Sequence, residues 1–394
     1  MLINLRNALM AGKRLPYDSE VEYLESTGTQ WIDTGISGAE QNLIITAGVR
    51  INTYSAYAGA FGNYASESAN SFRLILTSSN NGQAYANCGY KTSSSHIISN
   101  FSLRNWHTVI LNGAEDICFC DGVEYTKSNR YIQGTANTNT IKLFTSGGAA
   151  SGTWSKQFSE FKVELNGTLL QDLIPVRKGT IGYMYDRVSG QLFGNAGTGD
   201  FVLGPDVVPV EYIESHGTEW IDTGFQPTST TDAAITFTAT QNNDSWVMGA
   251  VTWWGVRCFF NATPKQVEFA NGSNATYRAG VAYTQGDIAT LSLRGSEVFS
   301  DGVKIGEITR SNASSNLAIF GYQGSTGLNI SGRVYSVKLW QSGALVRSFL
   351  PVRVGSGSTW EGAMMDVLTR RIYRNAGTGA FTYGNDLKYP IPAE

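Results

Sequence analysis

Apolar and polar residues alternate with a period of two through most of this chain. Leu43, Ile45, Ala47, Val49 and Ile51 fall on one face of an extended segment. Ile235, Phe237 and Ala239 alternate in the same way. So do Phe161, Val163 and Leu165 against Lys162 and Glu164, and Tyr335, Val337 and Leu339 further on. One apolar and one polar face predict antiparallel sheets buried on one side. Asp121-Gly122 and Asp301-Gly302 each separate two such runs. This dipeptide suits a type I′ hairpin, whose central residues both need positive φ. A further hairpin is expected across Asp186–Gly190, and Asp366 to Asn375 keeps the spacing of Asp186 to Asn195. Helical spacing is confined to residues 2–11, where Leu2, Leu5 and Leu9 share a face and Gly12 stands at the C-cap position. So short a helix is not stable alone in water, so this arm is expected to dock on its own domain or on another subunit.

The alternation is written twice. Val21-Glu22-Tyr23-Leu24-Glu25-Ser26-Thr27-Gly28-Thr29-Gln30-Trp31-Ile32-Asp33-Thr34-Gly35 returns from Val210 to Gly224 with twelve of fifteen positions identical. Ile174-Pro175-Val176-Arg177 returns as Leu350-Pro351-Val352-Arg353, and Asn195-Ala196-Gly197-Thr198-Gly199 as Asn375-Ala376-Gly377-Thr378-Gly379. An offset of 189 residues is the length of a domain, not of a solenoid repeat. The chain is therefore read as an arm over 1–18 and two tandem copies of one fold, 19–205 and 206–390. Leu203-Gly204-Pro205-Asp206-Val207-Val208-Pro209 is read as a stiff linker, and 388–394 as a loose tail.

Composition narrows the class. Charged residues are 15%, aromatics 12%, and there are 44 glycines among 394 residues, a profile of short strands and tight turns. The net charge of −3 argues against a nucleic-acid surface. Cys88, Cys118, Cys120 and Cys258 have no counterparts between the copies and no CxxC spacing. They read as small buried hydrophobes, with neither a disulfide framework nor a zinc site expected. The first residues lack a secretory h-region and no window reaches membrane-span length. These features predict cytoplasmic synthesis and, if the protein works outside, release by lysis or by a non-standard route.

The opening Val-Glu-Tyr-Leu-Glu-Ser-Thr-Gly-Thr-Gln-Trp-Ile-Asp-Thr-Gly, the strand–Asp-Gly–strand hairpin and the closing Asn-Ala-Gly-Thr-Gly resemble laminin-G-like, concanavalin-A-like jelly rolls of the kind encoded by gut bacteria and their phages. The resemblance covers residues 19 to about 387. It implies an all-β chain with two packed antiparallel sheets per domain, and a role in glycan or surface recognition. The function expected is a non-catalytic phage or prophage virion appendage that recognises surface glycans, with other virion subunits as partners. The alternative is a bacterial carbohydrate-binding surface protein, and after it a glycoside hydrolase. Glu20-Val21-Glu22-Tyr23-Leu24-Glu25 approximates the Glu-x-Asp-x-x-Glu of jelly-roll glucanases, but lacks the Asp and is not repeated.

No cofactor or metal is expected. Asp33 and Asp222 precede turn glycines and read as scaffold; rim calcium is the alternative. Arg73 and Arg257, repeated with Asn87 and Asn271, read as structural ion pairs or as a ligand clamp. A glycan site is sought where the copies differ. Asn243, Asp244, Trp246, Trp253 and Trp254 of the second copy stand where the first has Tyr57 and Tyr64. Aromatic rings stack on sugar C–H faces, while Asn and Asp bind hydroxyls. Trp253 and Trp254 are adjacent, so at most one enters the core; the other is exposed or covered by a domain contact.

Overall fold

Chains that alternate in this way bury one face of each sheet against a second sheet. The computed structural model of this protein describes residues 15–387, apart from 54–56, 78–82, 92–94, 148–153, 242–243, 262, 273–275, 277 and 323–327. The expected helix over 2–11 and the expected tail over 388–394 lie outside the described residues. Every named element among the described residues is a strand. The chain divides into two compact units, Met1–Asp206 and Val207–Glu394.

In the first unit, a larger antiparallel sheet runs Val123–Tyr125, Ile117–Cys120, Trp106–Asn112, Leu43–Ile51, Lys156–Leu165, Thr168–Lys178, Ile181–Asp186, Leu192–Phe193. A six-stranded sheet runs Ile32–Ser37, Thr140–Leu143, Tyr57–Gly62, Asn70–Thr77, Ala84–Lys91, His96–Ile98. The second unit repeats both. Its larger sheet contains Thr231–Ala239 between Ala289–Arg294 and Ser331–Gln341. Its six-stranded sheet runs Ile221–Asp222, Ala318–Ile319, Ser245–Ala250, Trp254–Phe259, Gln266–Asn271, Arg278–Ala282. The expected all-β tandem of two-sheet sandwiches is thus what the chain forms.

Alternation predicts the buried faces well. Leu43, Ile45, Ala47, Val49 and Ile51 all lie in the first core, and Ile235, Phe237 and Ala239 in the second. Both Asp-Gly pairs turn with positive φ, 51° and 81° at Asp121 and Gly122, 49° and 83° at Asp301 and Gly302. Tyr335 departs from the alternation: the period-two pattern places it on the core face, but it is only half-buried and Val334 takes that place. A bulge between the pairs Thr236–Ser336 and Phe237–Val334 inserts one residue and reverses the faces upstream. The first copy has its bulge at the matching place, between Phe158 and Glu160.

The repeated terminal motifs touch one another. Trp31 N–H donates to Asn195 Oδ1 at 3.1 Å, and its carbonyl accepts from Ala196 N–H at 2.8 Å. Trp220 does the same with Asn375 and Ala376, at 3.1 and 2.8 Å. A Cβ on Gly197 or Gly377 would meet the Thr29 or Thr218 carbonyl oxygen at 2.0 or 2.1 Å and a tryptophan ring carbon at 2.9 or 2.8 Å, so only glycine lets the closing segment lie against the opening one. The two tryptophans are therefore half-buried closure residues packed on the core's edge. Asn375→Ala removes the acceptor of two N–H groups and is expected to cost the second unit about 1–3 kcal/mol, measured by urea unfolding.

The segment read as a linker is part of these closures. Glu22 N–H donates to the Pro205 carbonyl at 2.9 Å, and Arg177 forks onto Asp206 with two contacts of 2.6 Å. In the second unit Glu211 N–H donates to Asn385 O, and Arg353 forks onto Asp386 at 2.6 and 2.7 Å. The first unit therefore ends after Asp206, not before it. Its start also lies before Ser19: Tyr17 is buried with Ile174, Val176 and Tyr185.

One difference between the closures carries a charge. Gln30 Oε1 accepts from Thr27 N–H at 2.9 Å; its counterpart Glu219 accepts from His216 N–H at 2.8 Å and Ser215 Oγ at 3.1 Å. Burial alone pushes the Glu219 carboxyl up, but these bonds outweigh it and hold it below the usual carboxylate range. A depressed carboxylate stabilises the fold above its unfolded pKa, and that contribution is lost as pH falls through the folded value. Glu219→Gln should lower the neutral-pH melting temperature slightly and lose less of it below about pH 4.5 than wild type does. Melting curves against pH check this.

Candidate functional site

The outer face of the second unit's six-stranded sheet gathers the residues with most chemistry. Val256 and Cys258 point into the core, so Arg257 and Phe259 point outward on the same strand. The pairing registers set Trp246 opposite Arg257, Arg257 opposite Glu268, and Glu268 opposite Gly280, one row across four strands. Arg257 Nε donates to Glu268 Oε1. Arg278 Nε lies 3.9 Å from the same oxygen. A Cβ on Gly280 would sit 2.9 Å from Glu268 Cβ, so the bare glycine makes room for the carboxylate between the two arginines.

Trp253 lies over this row. Its ring centroid is 4.8 Å from the Arg257 guanidinium and 5.3 Å from that of Arg278, within cation–π range of both. Trp246 meets Trp253 edge-on at 5.9 Å and tilts against Tyr322 at 5.0 Å. Trp253 is 39% exposed, whereas Trp254 is fully buried against Phe269. The backbone explains the split. Thr252 and Trp253 both take left-handed φ, 79° and 64°, in the short connection between Ser245–Ala250 and Trp254–Phe259. For β-branched and bulky residues this conformation is unfavourable, on the order of 1–3 kcal/mol each, and it recurs where structure serves function. Burial lowers the Arg257 guanidinium below its ordinary value, against the pull of Glu268.

The residues predicted from sequence separate into groups. Trp246 and Trp253 come together; Trp254 belongs to the core and is no part of an exposed site. Asp244 Oδ1 accepts from Phe260 N–H at 2.9 Å and Asn261 N–H at 3.1 Å, which ties it to a turn. Asn243 lies outside the described residues. Tyr57 begins the strand Tyr57–Gly62, and its side chain is likewise outside them. Tyr64 is half-buried with its ring 4.5 Å from the Arg73 guanidinium. There the row is Gly62, Arg73, Asn87, with Arg73 Nε donating to Asn87 Oδ1 at 2.8 Å. The first copy also sets an arginine under an aromatic ring, but in a different row: Gly62–Arg73 corresponds to Gly249–Gly255, and the row matching Trp246, Arg257 and Glu268 is Gly59, Ile75 and Tyr85. The repeat of Arg73 and Asn87 as Arg257 and Asn271 expected from sequence is therefore not kept, and Asn271 stands opposite Trp254. Sequence reading missed Glu268, Arg278 and Phe259. Their signal was the period-two spacing of Arg257 and Phe259; Glu268 and Arg278 join only through register.

Other flagged groups are structural. Asp33 Oδ1 accepts Gly35 N–H at 2.9 Å and Oδ2 accepts Thr140 Oγ1 at 2.9 Å. Asp222 Oδ1 accepts Gly224 N–H at 2.8 Å. Of the glucanase-like trio, Glu20 is fully buried, and Glu25 accepts from Ser155 Oγ and, at 2.6 Å, from Gln157 Nε2. All four cysteines are buried and unbridged, as expected.

Neither the protein-family models nor the curated proteins match this sequence. Among solved structures, the chain is similar to domains LG4-5 of the mouse laminin alpha1 chain, with 14% identity, 84% of this chain and 93% of that chain covered, and a TM-score of 0.28. It is also similar to a protein from Bacteroides ovatus described as a "putative carbohydrate binding protein", with 12% identity, coverage of 90% and 95%, and a TM-score of 0.34.

Proposed function

We propose that this chain is a non-catalytic recognition protein that binds a surface glycan on the outer face of the second unit's six-stranded sheet. The observation that carries the reading is Trp253: a large ring held outward on left-handed backbone, flanked by Arg257 and Arg278. The ring offers a stacking surface for sugar C–H groups. Arg278, about one-quarter exposed, offers N–H donors to hydroxyl or carboxyl oxygens beside it. The engaged carboxylates of Glu20 and Glu25 favour binding over hydrolysis, which needs a pair facing one cleft.

The finer reading is a phage or prophage virion appendage, in preference to a bacterial surface protein; it rests on the sequence resemblance. Mass spectrometry of purified particles and of peptides shaved from intact cells tests it; finding the chain only on cells would reject the virion. For recognition itself the test is a glycan array probed with the full chain. Binding of a defined glycan class supports the reading, and binding to none removes it.

A further inference from the structure

The first unit carries a constellation that its twin lacks. At the Asp-Gly hairpin, Asp121 Oδ1 accepts Thr108 N–H at 3.0 Å, as Asp301 Oδ1 accepts Thr290 N–H at 2.8 Å. That oxygen fastens the hairpin in both copies. The second oxygen differs in use. Asp301 Oδ2 meets Ser300 Oγ at 3.4 Å, whereas Asp121 Oδ2 stands 2.7 Å from His107 Nδ1 and 3.9 Å from Cys120 Sγ. Cys120 Sγ is 3.8 Å from the same nitrogen. The positions equivalent to His107 and Cys120 are Ala289 and Ser300. Thiol and imidazole have been set around a carboxylate that the hairpin already required.

The other face of the imidazole is oriented by the backbone. Nε2 is 2.9 Å from the Ser102 carbonyl oxygen, and Ser102 N–H stands in donating geometry to the same ring nitrogen at 3.2 Å, so the backbone there serves either tautomer. In the Nε2–H tautomer the nearer carbonyl takes the proton, as the carbonyl partners of metal-bound histidines do. Nδ1 then turns a lone pair toward the Asp121 carboxylate, the arrangement a metal ion bridges; in the other tautomer Nδ1–H donates to Asp121 and no metal is needed. Phe101, 4.2 Å from the imidazole centroid, holds the ring in place. Zinc bonds of about 2.0 Å to N and O and about 2.3 Å to S span these separations, with the N···O edge opening by roughly half an ångström. Asp121, one-third exposed, leaves a path from solvent and room for a water as fourth ligand. The same atoms do not form a serine hydrolase triad: Ser102 Oγ is 3.4 Å from Nε2, farther than its own carbonyl, and accepts Asn105 Nδ2 at 2.9 Å.

We propose that His107, Cys120 and Asp121 form a site for a divalent metal ion of the zinc class, selected by mixed S, N and O ligands. A second cluster, Cys88, His96 and Asp116, has the same ligand types but already holds a cation. Lys127 Nζ sits 3.0 Å from Asp116 Oδ1, and Tyr131 N–H takes Oδ2 at 2.7 Å.

Cobalt(II) titration of the chelator-treated full chain tests the site, because a thiolate ligand gives a sulfur-to-cobalt charge-transfer band in the near ultraviolet. One cobalt per chain with that band is expected. Cys120→Ser, the residue found in the second copy, should abolish the band. Asp121→Asn keeps an acceptor for Thr108 N–H and should weaken binding at least about tenfold. Cys88→Ser should change nothing. No band at saturating cobalt means a histidine merely hydrogen-bonded to Asp121 and overturns the proposal. So does a band that survives Cys120→Ser or disappears in Cys88→Ser.

Discussion

Trp254→Ala is expected to cost the second unit about 3–5 kcal/mol, as large-to-small core substitutions of tryptophan do. Trp253→Gly, one residue earlier, is expected to leave stability unchanged or raise it. Trp254 is fully buried against Phe269, so truncation opens a cavity the sheet cannot close. Trp253 is 39% exposed at φ 64°, a conformation glycine takes without steric penalty. The opposite ranking holds for recognition. If the outer face binds glycan, removing the exposed ring should cost about 2 kcal/mol or more, roughly a thirtyfold loss of affinity. Urea unfolding and array binding on the same two proteins separate the effects. A Trp253→Gly protein that keeps full glycan affinity would place the site elsewhere, whatever its stability.

Between pH 8 and 10.5 the first unit should gain about 3 kcal/mol of stability that a Lys156→Met variant does not gain. Lys156 is 1% exposed, and its ammonium donates to the Phe144 carbonyl at 2.7 Å. Burial lowers its pKa from 10.5 to about 8. In this interval the unfolded lysine is protonated and the folded one is neutral. The unfolded state therefore binds more protons, and stability rises with pH. Below pH 8 both states carry the charge, and the fold bears the full cost of burying it. Comparing urea midpoints of the two proteins at pH 7 and pH 10 cancels the tyrosines that titrate nearby. Parallel profiles would mean that Lys156 is hydrated in solution.

The sequence alone determined whatever is local or repeated. Alternation marked the buried faces of Leu43–Ile51 and Thr231–Ala239, because a strand's side chains reverse at each residue whatever its neighbours. Asp-Gly marked the hairpin tips, because few other dipeptides take two positive φ values. The repeat marked two copies, and adjacency required Trp253 and Trp254 to part company. Tertiary structure decided what depends on register between distant strands. A bulge moved Tyr335 off the core face. The closure paired Trp31 with Asn195, and Trp220 with Asn375, across whole domains. Which tryptophan turned outward followed from left-handed backbone at Thr252 and Trp253, which propensity does not forecast for such residues. Glu268 and Arg278 joined Arg257 only because three strands pair in one register. His107 met Cys120 and Asp121 by the same means: hairpin pairing sets side chains thirteen and fourteen positions apart within bonding reach, and no spacing rule read along one strand contains that distance.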